Sequence, residues 1–281
     1  MSQRQGRWRR HWQNRTVRVA GSTLLIIALL AYLLPAISPN SFDATDFANI
    51  LEAPTTTGMH WFGLDELGRD LLVRNMLGIR VTLAVAIVAS IVSLVIGVLY
   101  GAIAGYMGGL VDSVMMRFVD TLYALPFIFF VILLMVVFER NFVLMFVAIG
   151  AINWLDMARI VRGQTISLKE REFVTAARLN GVSTLRIIGR HIAPNLVGIV
   201  VVYVTLTIPQ AILVESFLSF LGLGIQEPAT SLGALVNGGV QQMESAPWLL
   251  LIPGGTLVLI LLCFNFLGDG LRDVYDVRQR G

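Results

Sequence analysis

Six apolar runs, at about 19–37, 81–105, 121–138, 142–160, 196–214 and 247–267, set the terms on which this chain can fold. A bilayer core about 30 Å thick is crossed by roughly 20 helical residues, and each run is near that length. In hydrocarbon the backbone N–H and C=O groups must find partners within the protein, so a single apolar run crosses as a helix. Charge agrees with this reading: 14% of the 281 residues are charged, against about 25% in soluble domains. The expected fold is an all-α integral membrane protein with six transmembrane helices.

An even number of crossings puts both termini on one side. Residues 1–18 hold six Arg and no acid. Of the 21 Lys and Arg in the chain, 17 fall in 1–18, 106–120, 159–195 and 268–281, and 4 fall in 38–80, 139–141 and 215–246. Positive charge accumulates on the cytoplasmic side, which places the first set of segments, and both termini, in the cytoplasm. The pI near 9.3 then reports topology, and no nucleic-acid partner is expected. Cys263 stands alone, and His11, His60 and His191 are far apart, which excludes a disulfide framework and a metal cluster. The one lysine, Lys169, follows Leu168, so the Gly-Lys-Ser/Thr of a phosphate-binding loop is impossible. No hydrolase or dinucleotide motif appears, so the chain is expected to hold no catalytic residue and no cofactor.

Between these landmarks the chain divides into a basic tail (1–18), a first helix with an extracytoplasmic segment (19–80) and a core (81–281). Trp8 and Trp12 lie one turn apart among arginines, either on a helix at the membrane surface or in a disordered tail. The basic start followed by an apolar stretch imitates a secretory signal, but Pro35, Pro39 and the later spans favour an uncleaved helix. Residues 38–57 read as irregular. In GMHWFGLDELGRDLLVRNMLGIR, Asp65 is a helix cap, and Asp65/Arg69 and Asp70/Arg74 are i,i+4 pairs on an interfacial helix leading into the second span. Gly97 and Gly101 form a G-x-x-x-G in that span, a close-packing pattern. Residues 106–120 read as a short turn, and Pro126 as a kink early in the third span. Asn153 and Asp156 lie in the fourth. The fifth span is expected to end at Pro209-Gln210, before a half-inserted outer helix carrying Glu215. A carboxylate at membrane depth faces protein or water, so Glu215 is either a pathway residue or exposed at the outer interface; Asn153 and Gln210 are the other pathway candidates. Residues 225–247 read as an outer loop.

The longest polar interruption, 159–195, contains Arg159, Arg162, Lys169, Arg171, Arg178, Arg186 and Arg190. From Lys169 to Asn180 there is no Pro or Gly, and Phe173, Ala176, Ala177 and Asn180 recur at helical spacing. Gly181 suits a helix end, Ser183 an N-cap and Pro194 a first helical turn. The stretch reads as helix, glycine break, helix, with Ala176, Ala177 and Gly181 as a small-residue face that lets another backbone approach. A solvated basic connector is the alternative.

This stretch resembles the coupling motif of ATP-binding-cassette importer permeases: Thr175-Ala176-Ala177, then Gly181, then Pro194, with Thr175 in place of the motif's Glu. HWFGLDELGRD (60–70), with His60, Gly63, Asp65, Gly68, Arg69 and Asp70, is similar to an extracytoplasmic motif of the C-type subunit in the dipeptide/oligopeptide/nickel branch. SFLSFLGLGIQEPATSLG (216–233), with Glu227 where that branch has Pro, and FNFLGDGLRD (264–273) extend the resemblance over nearly the whole chain. It implies a type I importer permease core of five helices plus an N-terminal arm helix, in a bacterial inner membrane. The implied partners are a homologous second permease, two ATPase subunits that use ATP-Mg, and an extracytoplasmic binding protein. Ala176, Ala177 and Gly181 would serve close docking, Glu172 or Arg178 polar contacts, and Glu172 the part of the missing acid at Thr175. An ion-coupled transporter or channel working alone is the rival reading.

Overall fold

The computed structural model describes residues 15–56, 60–126, 129, 131–133, 137 and 142–279. Its helices are α1 (Arg15–Ile37), α2 (Leu71–Met107), α3 (Gly109–Ala124), α4 (Phe142–Lys169), α5 (Glu172–Leu179), α6 (Thr184–Phe220, π-helical over Ile188–Ile192), α7 (Leu232–Gln241) and α8 (Trp248–Gln279). Among the described residues, β pairing is confined to one bridge between Leu64 and Asp70. The all-α expectation holds. Among the described residues four helices, α1, α2, α6 and α8, are long and apolar enough to cross a membrane. Parts of the third run, 121–138, and the tail with Trp8 and Trp12 lie outside the described residues.

The largest interface joins α2 to α4, and glycine makes it possible. A Cβ on Gly97 would lie 2.6 Å from Cβ of Met157, and one on Gly105 would lie 2.7 Å from the Arg162 carbonyl oxygen. Between them, Gly101 faces the Ala158 carbonyl and, at 2.9 Å from its missing Cβ, the Arg162 nitrogen. Without a hydrophobic driving force between helices in lipid, such close van der Waals contact is what holds them. The contacts advance in the same direction along both helices, so α2 and α4 run parallel. By contrast α6 is antiparallel to α2: Thr82 meets Glu215 and Ser90 meets Thr207.

Several sequence expectations are corrected here. Residues 106–120 are not a short turn, because all but its first residues belong to the 16-residue helix α3. It is pinned to α4 by a two-pronged pair from Arg162 to Asp112 (2.5 and 2.6 Å) and by Arg159 to Asp120 (2.7 Å). Pro209 does not end the fifth span: α6 runs through it to Phe220, so Glu215 belongs to a crossing helix. Breaking the helix there would strand several backbone groups in hydrocarbon, where the proline removes one donor. The outer loop 225–247 contains helix α7, which packs on α8 and the end of α6. Where Pro35 interrupts α1, the carbonyl of Ala31 loses its i+4 donor, and Arg80 of α2 replaces it, donating at 2.5 Å to Ala31 and 2.9 Å to Tyr32.

Candidate functional site

At one end of the bundle, α5 and the start of α6 sit against the C-terminal ends of α2 and α4. Val174 and Ala177 are the inward face of α5 and join Ile187, Ile188 and Ile192 in an apolar cluster with Met157 and Val161. Lys169 donates to the Gly105 carbonyl at the end of α2 (3.3 Å), and the Arg178 guanidinium lies 5.7 Å from the Tyr106 ring centre. Glu172 opens α5 and Arg178 lies in its last turn, each at the end where its charge complements the helix dipole. The helix closes as the sequence predicts. Gly181 has φ 72°, its N–H donates to the Arg178 carbonyl, and that of Val182 reaches back to Ala177, the paired bonds of a Schellman end. Ser183 occupies the N-cap position of α6 without a capping side-chain bond. Pro194 stands, as expected, in the first turn of the α-helical part of α6, Ala193–Phe220, directly after the π-helical stretch.

The small-residue face is split, which corrects the expected surface. Ala177 packs inward at 8% exposure, whereas Ala176 and Gly181 face out with Glu172 and Thr175. What the sequence reading missed are the large apolar side chains beside them: Leu179 is 84% exposed and Leu185 78%. Leu179 ends α5 and Leu185 opens α6, so two bare leucines at the polar, basic end of the molecule form an uncovered knob across the glycine break. Burying such a pair against a partner is favourable by about 1.5–3 kcal/mol per fully covered side chain.

The opposite end carries the 60–70 motif. Asp65 does not cap a helix. Its Oδ1 accepts from the N–H groups of Leu67 and Arg69 (both 2.9 Å) and its Oδ2 from Arg69 Nε (2.7 Å), in a tight turn. The cap is Asp70, whose Oδ1 accepts from the Val73 N–H (3.0 Å), while Oδ2 meets His60 Nδ1 at 2.8 Å and accepts from Asn40 (3.1 Å). Gly63 and Gly68 are pressed onto the backbone of Glu52 and Asp46. The expected Asp70–Arg74 pair gives way to a longer reach: Arg74 binds Glu227 (2.9 Å), as does Arg69, and Arg74 also lies 3.4 Å from Asp65. Burial works against the Arg69 charge, but the bonds from Glu227 and Asp65 outweigh it and raise its pKa above the ordinary value.

The three pathway candidates do not converge. Gln210 is exposed, and Asn153 is buried in α4 with no partner for its Nδ2. Glu215 is neither water-lined nor exposed; it is completely buried. Its Oε2 accepts from Thr82 (3.0 Å) and Ser216 (3.4 Å), and its Oε1 from Ser219 (2.7 Å). Thr82 in turn accepts from the Leu232 N–H (3.2 Å), and Ser219 bonds Ser231, the N-cap of α7. Glu215 thus fastens α2, α6 and α7 together. Glu215→Leu is expected to destabilise the chain by about 1–3 kcal/mol, because buried hydroxyls lose their acceptor, with Glu215→Gln losing less. Thermal unfolding of the purified variants in one detergent measures the order.

Comparison with known proteins agrees with this architecture. Residues 97–281 match the family described as binding-protein-dependent transport system inner membrane component, and residues 2–54 match the N-terminal TM domain of oligopeptide transport permease C. Among curated relatives, the oligopeptide transport system permease protein OppC of Escherichia coli K12 is 56% identical over 97% of this chain and 90% of its own length. The dipeptide transport system permease protein DppC of Bacillus subtilis is 42% identical over 100% of this chain and 87% of its own. A solved structure of the MetNI methionine ABC transporter, in inward-facing conformations, shares the fold with TM-score 0.56 and 20% identity, covering 70% of this chain and 94% of that one. With these matches reaching from the first apolar helix through the coupling stretch to the C-terminus, the chain belongs to the inner membrane components of binding-protein-dependent transport systems, as a C-type permease subunit.

Proposed function

We propose that this chain is one of two membrane subunits of a bacterial peptide importer, in which it pairs with a homologous second permease. Two cytoplasmic ATPase subunits use ATP-Mg, and an extracytoplasmic binding protein delivers di- or oligopeptides, the solutes named for its relatives. The chain spans the inner membrane six times with both ends in the cytoplasm. Helix α1 is a peripheral arm: its outer surface bears Leu25, Ile26, Leu29 and Leu33, each more than half exposed. The other five spans are the core that encloses the path.

The observation that carries the reading is the seated α5 helix, with Glu172, Thr175, Ala176 and Leu179 exposed on it and Leu185 exposed at the start of α6. Closure of the ATPase dimer pushes on this knob. Because α5 shares a core with α2, α4 and α6, the push moves whole spans rather than a loop. Inverting a 1:99 population of inward- and outward-facing states takes about 5.5 kcal/mol of differential binding, and α5 is the surface through which it passes. Reconstitution tests the reading. Proteoliposomes with both permeases, the ATPases and the binding protein should accumulate peptide only with ATP inside, and this chain alone should accumulate none. Uphill uptake by the lone chain would instead establish an ion-coupled transporter.

A further inference from the structure

The geometry points to a carboxylate-binding site on the outer end of the chain, built from Arg69 and Arg74 and filled at rest by the chain's own Glu227. The side chains of the two arginines are 8% and 2% exposed, whereas that of Glu227 is 60% exposed. The guanidiniums are the fixed, desolvated receptor, and the carboxylate is a solvent-reachable occupant on the segment between α6 and α7. Glu227 lies across both, receiving Arg69 Nη1 on Oε2 and Arg74 Nη2 on Oε1, the fork geometry in which arginine recognises carboxylates.

Charge balance shows that the receptor is not saturated without a second carboxylate. Asp65 is the other acid against the pair, so removing Glu227 leaves two buried cations facing one anion. Asp70 is engaged by His60, Asn40 and the start of α2, and Glu66, on the rim, bonds Gln242 (3.3 Å). Arg74 Nε faces Asp65 Oδ2 at 3.4 Å and Nη1 donates to the Phe42 carbonyl (3.4 Å), which leaves Nη2 to the second carboxylate. The arginines and Glu227 line one cleft of about 90 Å³ with Ala234, Leu235 and Gln242. A single water needs about 10–15 Å³ by that measure, so a carboxylate and a few attached atoms fit. An incoming carboxylate takes the Glu227 positions, and Glu227 swings into solvent.

Such a carboxylate comes from a peptide C-terminus or from an acidic side chain. The site stands on this chain's geometry whatever solute is carried, so its test uses the full-length chain alone, in nanodiscs. Three probes are titrated: trialanine, trialanine amide, and acetyl-Ala-Glu-Ala-amide, whose one carboxylate is a side chain. Glu227→Ala is expected to bind at least one carboxylate probe tenfold or more tighter than the unmodified chain does, with trialanine amide unaffected. Glu227→Gln, which preserves side-chain volume, should behave likewise, and adding Arg69→Gln should cancel the gain. Preference for trialanine identifies a terminal carboxylate, and preference for the blocked Glu peptide a side chain. Equal binding of all three probes, or no gain for either carboxylate probe in both Glu227 variants, overturns the proposal.

Discussion

Gly101→Leu is expected to abolish most of the folded chain, while Gly163→Ala, on the facing helix, leaves it intact. The two glycines differ in what surrounds them. A Cβ at position 101 would run into backbone atoms of α4 at Ala158 and Arg162, which have no rotamer to yield. A Cβ at position 163 meets nothing within 4 Å. Overpacking a close-packed interior costs about 1–3 kcal/mol and occasionally more, and here the strain falls at the centre of the largest helix pair. Separating α2 from α4 would also loosen the contacts of Gly97 and Gly105, since the three share one seam. At Gly163 the exchange removes a flexible residue from a helix interior, a gain of roughly 0.5–1 kcal/mol. The monodisperse fraction after detergent extraction and the thermal midpoint measure both. Equal midpoints for Gly101→Leu and the unmodified chain would contradict the seam.

At Gly181 a substitution should spare folding and remove coupling. Its φ of 72° lies where L side chains are strained, yet nothing stands within 4 Å of its missing Cβ. The conformation therefore costs about 1–2 kcal/mol for an ordinary residue and more for a β-branched one. Gly181→Val relieves that strain by unwinding the paired bonds that end α5, which shifts Leu179 relative to Leu185. Gly181→Asn tolerates the left-handed conformation and keeps the end intact. In the assembled importer, Val should lower peptide taken up per ATP hydrolysed at least tenfold, a loss of about 1.4 kcal/mol in coupling, and Asn should stay near the unmodified ratio. Equal ratios for Val and the parent would remove α5 from the transmission path.

Sequence reading was strongest where one residue type answers one backbone need. Gly181 at a helix end and the Gly97–Gly101 seam were both legible, because a left-handed φ and a backbone contact each exclude most side chains. It was weakest where partners are distant in the chain. Asp70/Arg74 is a reasonable local pair, but Arg74 prefers Glu227, 153 residues away, and no periodicity reports that. Pro209 looks like a boundary because proline ends helices in water. In α6 the surrounding spans favour continuity instead. Glu215 reads as a pathway residue or one exposed at the outer interface, and its fastening role is hidden because Thr82 lies 133 residues away and Ser216 and Ser219 have nothing unusual in their local sequence.

Apolar runs, the unequal distribution of arginine and the helix–glycine–helix stretch determined on their own that this is a multi-span helical membrane protein with a structured polar stretch at 159–195, and the motif resemblance added the permease family. Each is a property of a short segment facing its solvent, and short segments are what a sequence records directly. Only the tertiary structure decided that Ala177 turns inward while Leu179 and Leu185 stay bare, that Glu215 is a fastening, and that Glu227 occupies an arginine pair. Those outcomes depend on which faces the packed spans cover and which charges they bring within bonding distance, and both follow from the bundle as a whole.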